Sequence, residues 1–116
     1  MRILVFESNL MWSSRLLQSL RKLGHEPVLM SKAPESGDGA EAAIVNLGAT
    51  DLDPVALAAK LHELEIPVVA HAGHKEKELH ALGREAGVDI LATNSELTFK
   101  LESLLDRIQS GRLDRG

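Results

Sequence analysis

The sequence predicts an α/β fold in which a doubly wound, five-stranded parallel sheet carries helices on both faces. Short apolar runs typical of buried strands recur along the chain, and segments with helical periodicity separate most of them. Right-handed crossovers between such strands produce a sandwich with the sheet at its centre. The 116 residues suffice for one such domain and are too few for two independent cores.

Five apolar runs are the predicted strands. Three of them are nearly continuous, as expected for strands that are buried on both faces of a parallel sheet, and they cover residues 3–6, 43–45 and 67–70. Residues 27–30 and 88–91 give the same signal more weakly.

The first predicted helix covers residues 9–23. It begins with Ser8 or Asn9 as its cap and stops at Gly24, as the residue preferences of helix ends suggest. Helical spacing places four large apolar side chains on one stripe, which we expect to be buried: Trp12, Leu16, Leu20 and Leu23.

Three more helices follow. The second begins at Asp53, a capping residue followed by a proline that suits the first helical position. The third covers residues 75–86 and ends at Gly87. Ser95 caps the last helix, whose buried side is expected to consist of Leu97, Leu101, Leu104, Leu105 and Ile108.

One βα unit is incomplete. Residues 31–41 contain a proline and two glycines, so we expect a loop, or at most one turn, in place of a helix between the second and third strands. The sheet near Val28 and Met30 would then need a cover from that loop or from another chain. We divide the chain into a domain of residues 1–109 and a flexible C-terminal tail of residues 110–116.

Composition excludes several classes of function. The net charge is −4 with scattered basic residues, so we expect no direct nucleic-acid binding. The chain has no cysteine and hence no disulfide, and it has no apolar run of the roughly 20 residues that span a membrane. A cytoplasmic location is the expectation. Dinucleotide, Walker, G-x-S-x-G and cobalamin motifs are absent, so we expect neither catalysis nor a cofactor.

Polar residues follow four of the predicted strands. In doubly wound sheets, ligands bind at the carboxyl ends of the strands. The residues expected at that edge are Glu7 and Ser8, Asn46, His71 and Ala72, and Thr93 and Asn94.

In these motifs the chain resembles the receiver domains of bacterial two-component response regulators, from about Arg2 to Ile108. Receivers carry an acidic pair after the first strand and a phosphoacceptor aspartate after the third, followed by a loop with further acids. They also have a Thr or Ser after the fourth strand and a Lys-Pro after the fifth. The resemblance implies a flavodoxin-like sheet with strand order 2-1-3-4-5.

The functional positions of that pattern are altered here. Glu7 keeps one acid, whereas the other acid becomes Ser8 and the phosphoacceptor becomes Asn46. Ala72 stands at the hydroxyl position and Asn94 at the lysine position. The resemblance therefore implies a degenerate phosphoacceptor pocket, which consists of Glu7, Ser8, Asn46, Ala72 and Asn94.

The chemistry of these substitutions predicts a pseudo-receiver. A carboxamide is too poor a nucleophile to form an acyl phosphate, and Mg²⁺ binding in receivers uses two or three carboxylates, of which only Glu7 remains. We predict a signalling module that acts through protein contacts without phosphorylation. The alternatives are a small-molecule or metal sensor that uses the altered pocket, and an atypical receiver in a phosphorelay. Ser8 and Asn46 could also have purely structural roles. Ser8 could cap a helix, and Asn46 could form a hydrogen bond with its own loop.

A metal site that includes histidines is one alternative function of the pocket. His71 and His74 with Glu7 could form a set of two histidines and one carboxylate, although the spacing is not that of a zinc motif. Surface positions are the simpler expectation for loop histidines. His62 and His80 lie on predicted helices and are expected to be solvated.

A contact surface follows from the resemblance, because receivers dimerise and signal through their fourth helix, fifth strand and fifth helix. The residues placed there are His80, Arg84, Asp89, Phe99, Lys100 and Arg107. Phe99 is off the buried stripe of its helix, so it is either an exposed contact residue or folds back on the helix. The expected partners are proteins of a signalling pathway, with a homodimer as one possibility.

Overall fold

A computed structural model of the protein, which describes residues 1–111, confirms the predicted parallel sheet. Its strand order is β2-β1-β3-β4-β5, and every neighbouring pair is parallel. The strands are β1 (Arg2–Phe6), β2 (Glu26–Leu29), β3 (Ala42–Asn46), β4 (Val68–Ala72) and β5 (Ile90–Thr93).

Helices cover both faces of this sheet. They are α1 (Leu10–Lys22), α2 (Pro54–Glu63), α3 (Lys77–Ala86), α4 (Asn94–Phe99) and α5 (Leu101–Ser110). Leu20 of α1, Leu97 of α4 and Leu104 of α5 belong to one apolar cluster. Leu61 of α2 and Leu79 of α3 belong to the cluster on the opposite face.

Successive side chains of each strand enter opposite clusters. In β1, Ile3 and Val5 pack beneath α1, α4 and α5, whereas Leu4 and Phe6 pack beneath α2 and α3. Side chains alternate across a strand, so both faces of each central strand must be apolar when both are covered. This arrangement explains the continuous apolar runs of the sequence.

The connection between β2 and β3 is a loop, as predicted. Residues 30–41 contain no helix, and Pro34 within them is buried. Val28 and Met30 are partly buried and pack against the cluster beneath α2 and α3. The protein's own chain therefore covers part of the surface that a helix would otherwise shield.

The buried face of α1 differs from the predicted stripe. Trp12 is 48% exposed and Leu23 is 37% exposed, while Ser13 and Leu20 are buried. The Ser13 hydroxyl donates a hydrogen bond to Leu10 O, which satisfies it inside the fold. Apolar side chains occur all around this helix, so periodicity alone did not identify the face that contacts the sheet.

The predicted last helix is two helices. Thr93 caps α4 instead of Ser95, because it forms a capping box with Glu96 directly at the end of β5. The chain breaks at Lys100 before α5 begins. The buried side chains are nevertheless the predicted ones: Leu97, Leu101, Leu104, Leu105 and Ile108.

The predicted tail falls largely outside the described residues. The last helix runs to Ser110, and Gly111 ends it in the left-handed region with φ 75°. Residues 112–116 lie beyond the described part, so the domain boundary at residue 109 stays a prediction. Among residues 1–111, no helix is long and apolar enough to span a membrane.

Asp89 is buried instead of lying on the predicted contact surface. Its side chain is 0% exposed, and Oδ2 accepts a hydrogen bond from Val68 N at 2.7 Å. The same oxygen lies 2.7 Å from His62 Nε2, so His62 is paired and not simply solvated. This carboxylate ties the start of β5 to β4 and α2.

We expect Asp89→Ala to lower the free energy of unfolding by about 3 kcal/mol, because it leaves the buried Val68 N–H unsatisfied and removes the partner of His62. Urea denaturation measures this change. Asp106→Ala on the exposed side of α5 is the matched control and should change stability little. Equal losses for both variants would contradict the assignment.

Candidate functional site

Four polar side chains form a row along the carboxyl edge of the sheet. Glu7 follows β1, Asn46 ends β3, His71 lies in β4 and Asn94 follows β5. Asn46 and His71 are adjacent in the strand register. Each of these two lies two residues beyond a side chain packed beneath α1 and α4, so both point to that face. We call these four residues the polar row.

Glu7 and Asn46 form the first half of the polar row. Asn46 Nδ2 donates to Glu7 Oε1 at 2.7 Å, and Asn46 Oδ1 accepts from Gly48 N at 3.0 Å. Glu7 Oε2 accepts from Asn9 N at 3.2 Å, and Glu7 is only 6% exposed. The amide therefore bonds both its own loop and the neighbouring carboxylate, as the local structural alternative for Asn46 predicted.

His71 and Asn94 form the second half. His71 Nδ1 lies 2.7 Å from Asn94 Oδ1, and His71 is 4% exposed. Because the amide oxygen can only accept, Nδ1 carries the proton and Nε2 of the neutral ring has a free lone pair. Burial lowers the pKa of His71, while the hydrogen bond to Asn94 and the charge of Glu7 oppose this effect. The ring is therefore neutral at pH 7.

His71 Nε2 is buried and has no hydrogen-bond partner among the described residues. The predicted position of this histidine at the carboxyl edge of the fourth strand is confirmed, whereas the expectation that it is an exposed loop residue is wrong. The signal that identifies it is the period of two in β4, where Val69 and His71 share one face.

Two residues of the predicted pocket do not join the row. Ala72 is fully buried in the cluster beneath α2 and α3, on the other face. Ser8 is exposed, and its Oγ and backbone N both donate to Ala49 O, at 2.8 and 2.7 Å. Asn9, not Ser8, caps α1 through its side-chain oxygen.

The polar row does not fit the magnesium ion that the resemblance implies. Glu7 is its sole carboxylate, and the neighbouring Asn46 presents an amide NH₂ group to it. Mg²⁺ requires several oxygen ligands and charge compensation. His74 is exposed, and no three His, Cys, Asp or Glu side chains of residues 1–111 come together as a metal site.

A cavity of about 550 Å³ lies between α1 and α4 above the polar row. Trp12 and Phe99 line it from the two helices, and Arg15 Cζ lies 5.7 Å from the centroid of the Trp12 ring. Leu16 of α1, with Leu97 and Leu101, adds further apolar lining. Polar side chains line the same walls, and they are Arg15, Gln18, Ser19, Lys22, Ser95 and Thr98. The cavity thus combines a polar floor with walls of mixed polarity.

The residues of the predicted contact surface have mixed exposure. Phe99 is 84% exposed, and Arg84 and Lys100 are also exposed. His80 is half-buried with Nε2 3.0 Å from Gly73 O, and Arg107 is half-buried. Five of the six predicted residues are therefore at least partly accessible, and Asp89 is the exception.

Comparison with known proteins identifies the fold. No protein-family model matches the chain, and no curated protein matches it. A CheY-like response regulator receiver domain from Methanospirillum hungatei superposes with a TM-score of 0.73 at 20% identity, covering 95% of this chain and 97% of that one.

Two further solved structures have the same fold. The receiver domain of a signal transduction histidine kinase from Syntrophus aciditrophicus gives a TM-score of 0.76 at 20% identity, covering 95% and 90% of the two chains. A response regulator from Burkholderia pseudomallei, with a phosphorylated aspartic acid, a calcium ion and citrate, gives 0.69 at 16% identity, covering 96% and 70%. The chain has the receiver-domain fold.

We expect Asn46→Asp to lower the free energy of unfolding by roughly 2 kcal/mol at pH 7, because two carboxylates would replace the 2.7 Å hydrogen bond. Repulsion raises the pKa of the new carboxyl in the folded state. The loss should therefore shrink as the pH falls towards the pKa of an unfolded aspartate, about 4. Urea denaturation at several pH values measures it.

The double variant Glu7→Gln, Asn46→Asp is the control, since it removes the repulsion and should regain most of the lost stability. Addition of MgCl₂ to Asn46→Asp should also stabilise it, because two carboxylates then offer oxygen ligands. If Asn46→Asp were as stable as the unaltered protein at pH 7, the proposed role of the amide would be wrong.

Proposed function

We propose that the chain is a pseudo-receiver: a cytoplasmic module of two-component signalling that acts through protein contacts, without phosphorylation and without catalysis. The observation that carries this proposal is the hydrogen bond from Asn46 to Glu7 at the position where receivers carry a phosphoacceptor. The receiver-domain fold supports the signalling class, since it is the fold that the solved structures share.

The polar row argues against phosphoryl transfer in three respects. Asn46 offers a weak nucleophile, and both ends of its amide are engaged in hydrogen bonds. Asn94 replaces the lysine of the receiver pattern and accepts from His71, so it brings no positive charge to the floor. Glu7 retains a buried negative charge that would repel an incoming phosphoryl group.

Exposed apolar side chains supply a surface for protein contacts. Phe99 is 84% exposed at the end of α4, and Leu10 and Met11 at the start of α1 are 79% and 67% exposed. Large exposed apolar groups are typical of contact sites. The proposed partners are signalling proteins, and a second copy of the chain is one candidate.

Incubation with acetyl phosphate and MgCl₂, followed at once by intact mass spectrometry, tests the independence from phosphorylation. We expect no phosphoryl adduct, because the β3 tip carries Asn46 in place of a carboxylate nucleophile. An aspartate-bearing receiver treated in parallel verifies the reagent. An adduct on any residue of the polar row would instead support an atypical receiver in a phosphorelay.

Phe99→Ser tests the contact surface. We expect the variant to keep its thermal stability, since the side chain is mostly exposed, and to lose association with its partner. Sedimentation velocity measures self-association, and affinity capture from the source extract measures other partners. Leu29→Ser, at the β2 edge of the sheet and 44% exposed, is the matched control. Undiminished association of Phe99→Ser would refute this surface.

A further inference from the structure

Two buried side-chain nitrogens of residues 1–111 have no hydrogen-bond partner, His71 Nε2 and Arg2 Nε, and only His71 borders the cavity between α1 and α4. His71 is 4% exposed, and its Nδ1 is already bonded to Asn94. Buried polar atoms nearly always have a hydrogen-bond partner, and an exception calls for an explanation such as a ligand. His71 borders the cavity between α1 and α4, so a molecule in that cavity is the candidate partner.

The polar groups on the floor of the cavity favour a ligand that donates a hydrogen bond. Nε2 of the neutral ring can only accept a hydrogen bond, and the nearby Glu7 carboxylate is also an acceptor. A hydroxyl hydrogen suits both groups, whereas an anion bound at the floor would meet the negative charge of Glu7. The cations of the cavity, Arg15 and Lys22, are exposed residues of α1 and are not part of the polar row. The chemistry of the floor therefore favours a hydroxyl-bearing molecule over an anion.

The apolar side chains among the wall residues offer contacts to a flat apolar body. Trp12 and Leu16 of α1 face the cavity from one side, and Leu97 and Phe99 of α4 line it from the other. The volume of about 550 Å³ lies within the range of roughly 300–1,000 Å³ typical of small-molecule sites, which combine apolar walls with a few polar groups. Aromatic walls favour an aromatic guest through offset stacking and edge contacts.

We propose that the cavity between α1 and α4 binds a small phenolic molecule, whose hydroxyl donates a hydrogen bond to His71 Nε2 and whose ring lies between Trp12 and Phe99. This inference goes beyond the proposed signalling function and does not rest on it. The bound molecule would occupy the space directly above the polar row.

Titration of the protein with 4-methylphenol tests the proposal, with the imidazole nitrogens observed by NMR after ¹⁵N-histidine labelling. We expect a saturable shift of the His71 Nε2 resonance. The methyl ether of this probe, 4-methylanisole, has the same ring but no donor, and it should bind at least about tenfold more weakly. Inorganic phosphate should leave the resonance unchanged.

Two variants separate the site from non-specific binding. His71→Leu removes the acceptor, and Ser19→Trp on the exposed side of α1 fills the cavity without touching the histidine hydrogen bond. Both should lose the binding of 4-methylphenol, whereas His74→Leu, at an exposed histidine outside the cavity, should retain it. Because Ser19 is exposed, its variant remains informative even if His71→Leu does not fold.

Several outcomes would overturn the proposal. The proposal is wrong if the phenol and its ether bind with equal affinity, or if Ser19→Trp binds the phenol as well as the unaltered protein does. It is also wrong if phosphate competes with the phenol. If the His71 resonance does not shift at all, the unpaired nitrogen is assigned to water alone. None of them bears on whether the chain accepts phosphate from acetyl phosphate, so failure here is distinguishable from failure of the pseudo-receiver assignment.

Discussion

Burial of the parallel sheet on both faces is the constraint on which the rest of the structure depends. Because side chains alternate between two covered faces, a strand that packs Ile44 beneath α1 and α4 must also direct Asn46 to that side. The same rule directs His71 through Val69. The polar row is therefore a geometric result of the apolar core, which aligns side chains from strands distant in sequence.

Electrostatics explains why this row is stable without a metal ion. An aspartate beside Glu7 would require a cation to offset the repulsion, whereas the Asn46 amide donates directly to the carboxylate. The Glu7 carboxylate thus has a hydrogen-bond donor within the protein and needs no cation at this position. At the other end of the row, the amide oxygen of Asn94 orients the His71 ring. These amides hold the edge of the sheet in one arrangement.

Much of the fold could be predicted from the sequence, because nearly continuous apolar runs have few other structural explanations. The loop between β2 and β3 was equally predictable from its proline and glycines. The position of Asn46 at the tip of β3 followed from the same strand pattern.

The errors have a common physical origin in tertiary packing. The α1 face was predicted only in part: Leu16 and Leu20 pack against the core, whereas Trp12 and Leu23 are exposed. Ser13, a small polar residue outside the predicted stripe, is buried instead. Asp89 was placed on the contact surface because the resemblance to receivers puts it on that face, and only the structure reveals its burial beside His62. His71 was predicted at the carboxyl edge of the sheet, but its burial was not, since it depends on helices far away in sequence. Individual polar residues in a core carry little local signal.

The break at Lys100 gives α4 a mechanical property that a continuous helix would lack. This six-residue segment is held by the Thr93 cap at one end and by Leu97 in the core. So short a helix has little stability of its own, and its position is set by these attachments. Asn94 and Phe99 lie at its opposite ends, so the placement of this one turn of helix sets the positions of both residues. Any tilt of α4 over the cavity floor therefore also repositions the aromatic ring presented to solvent.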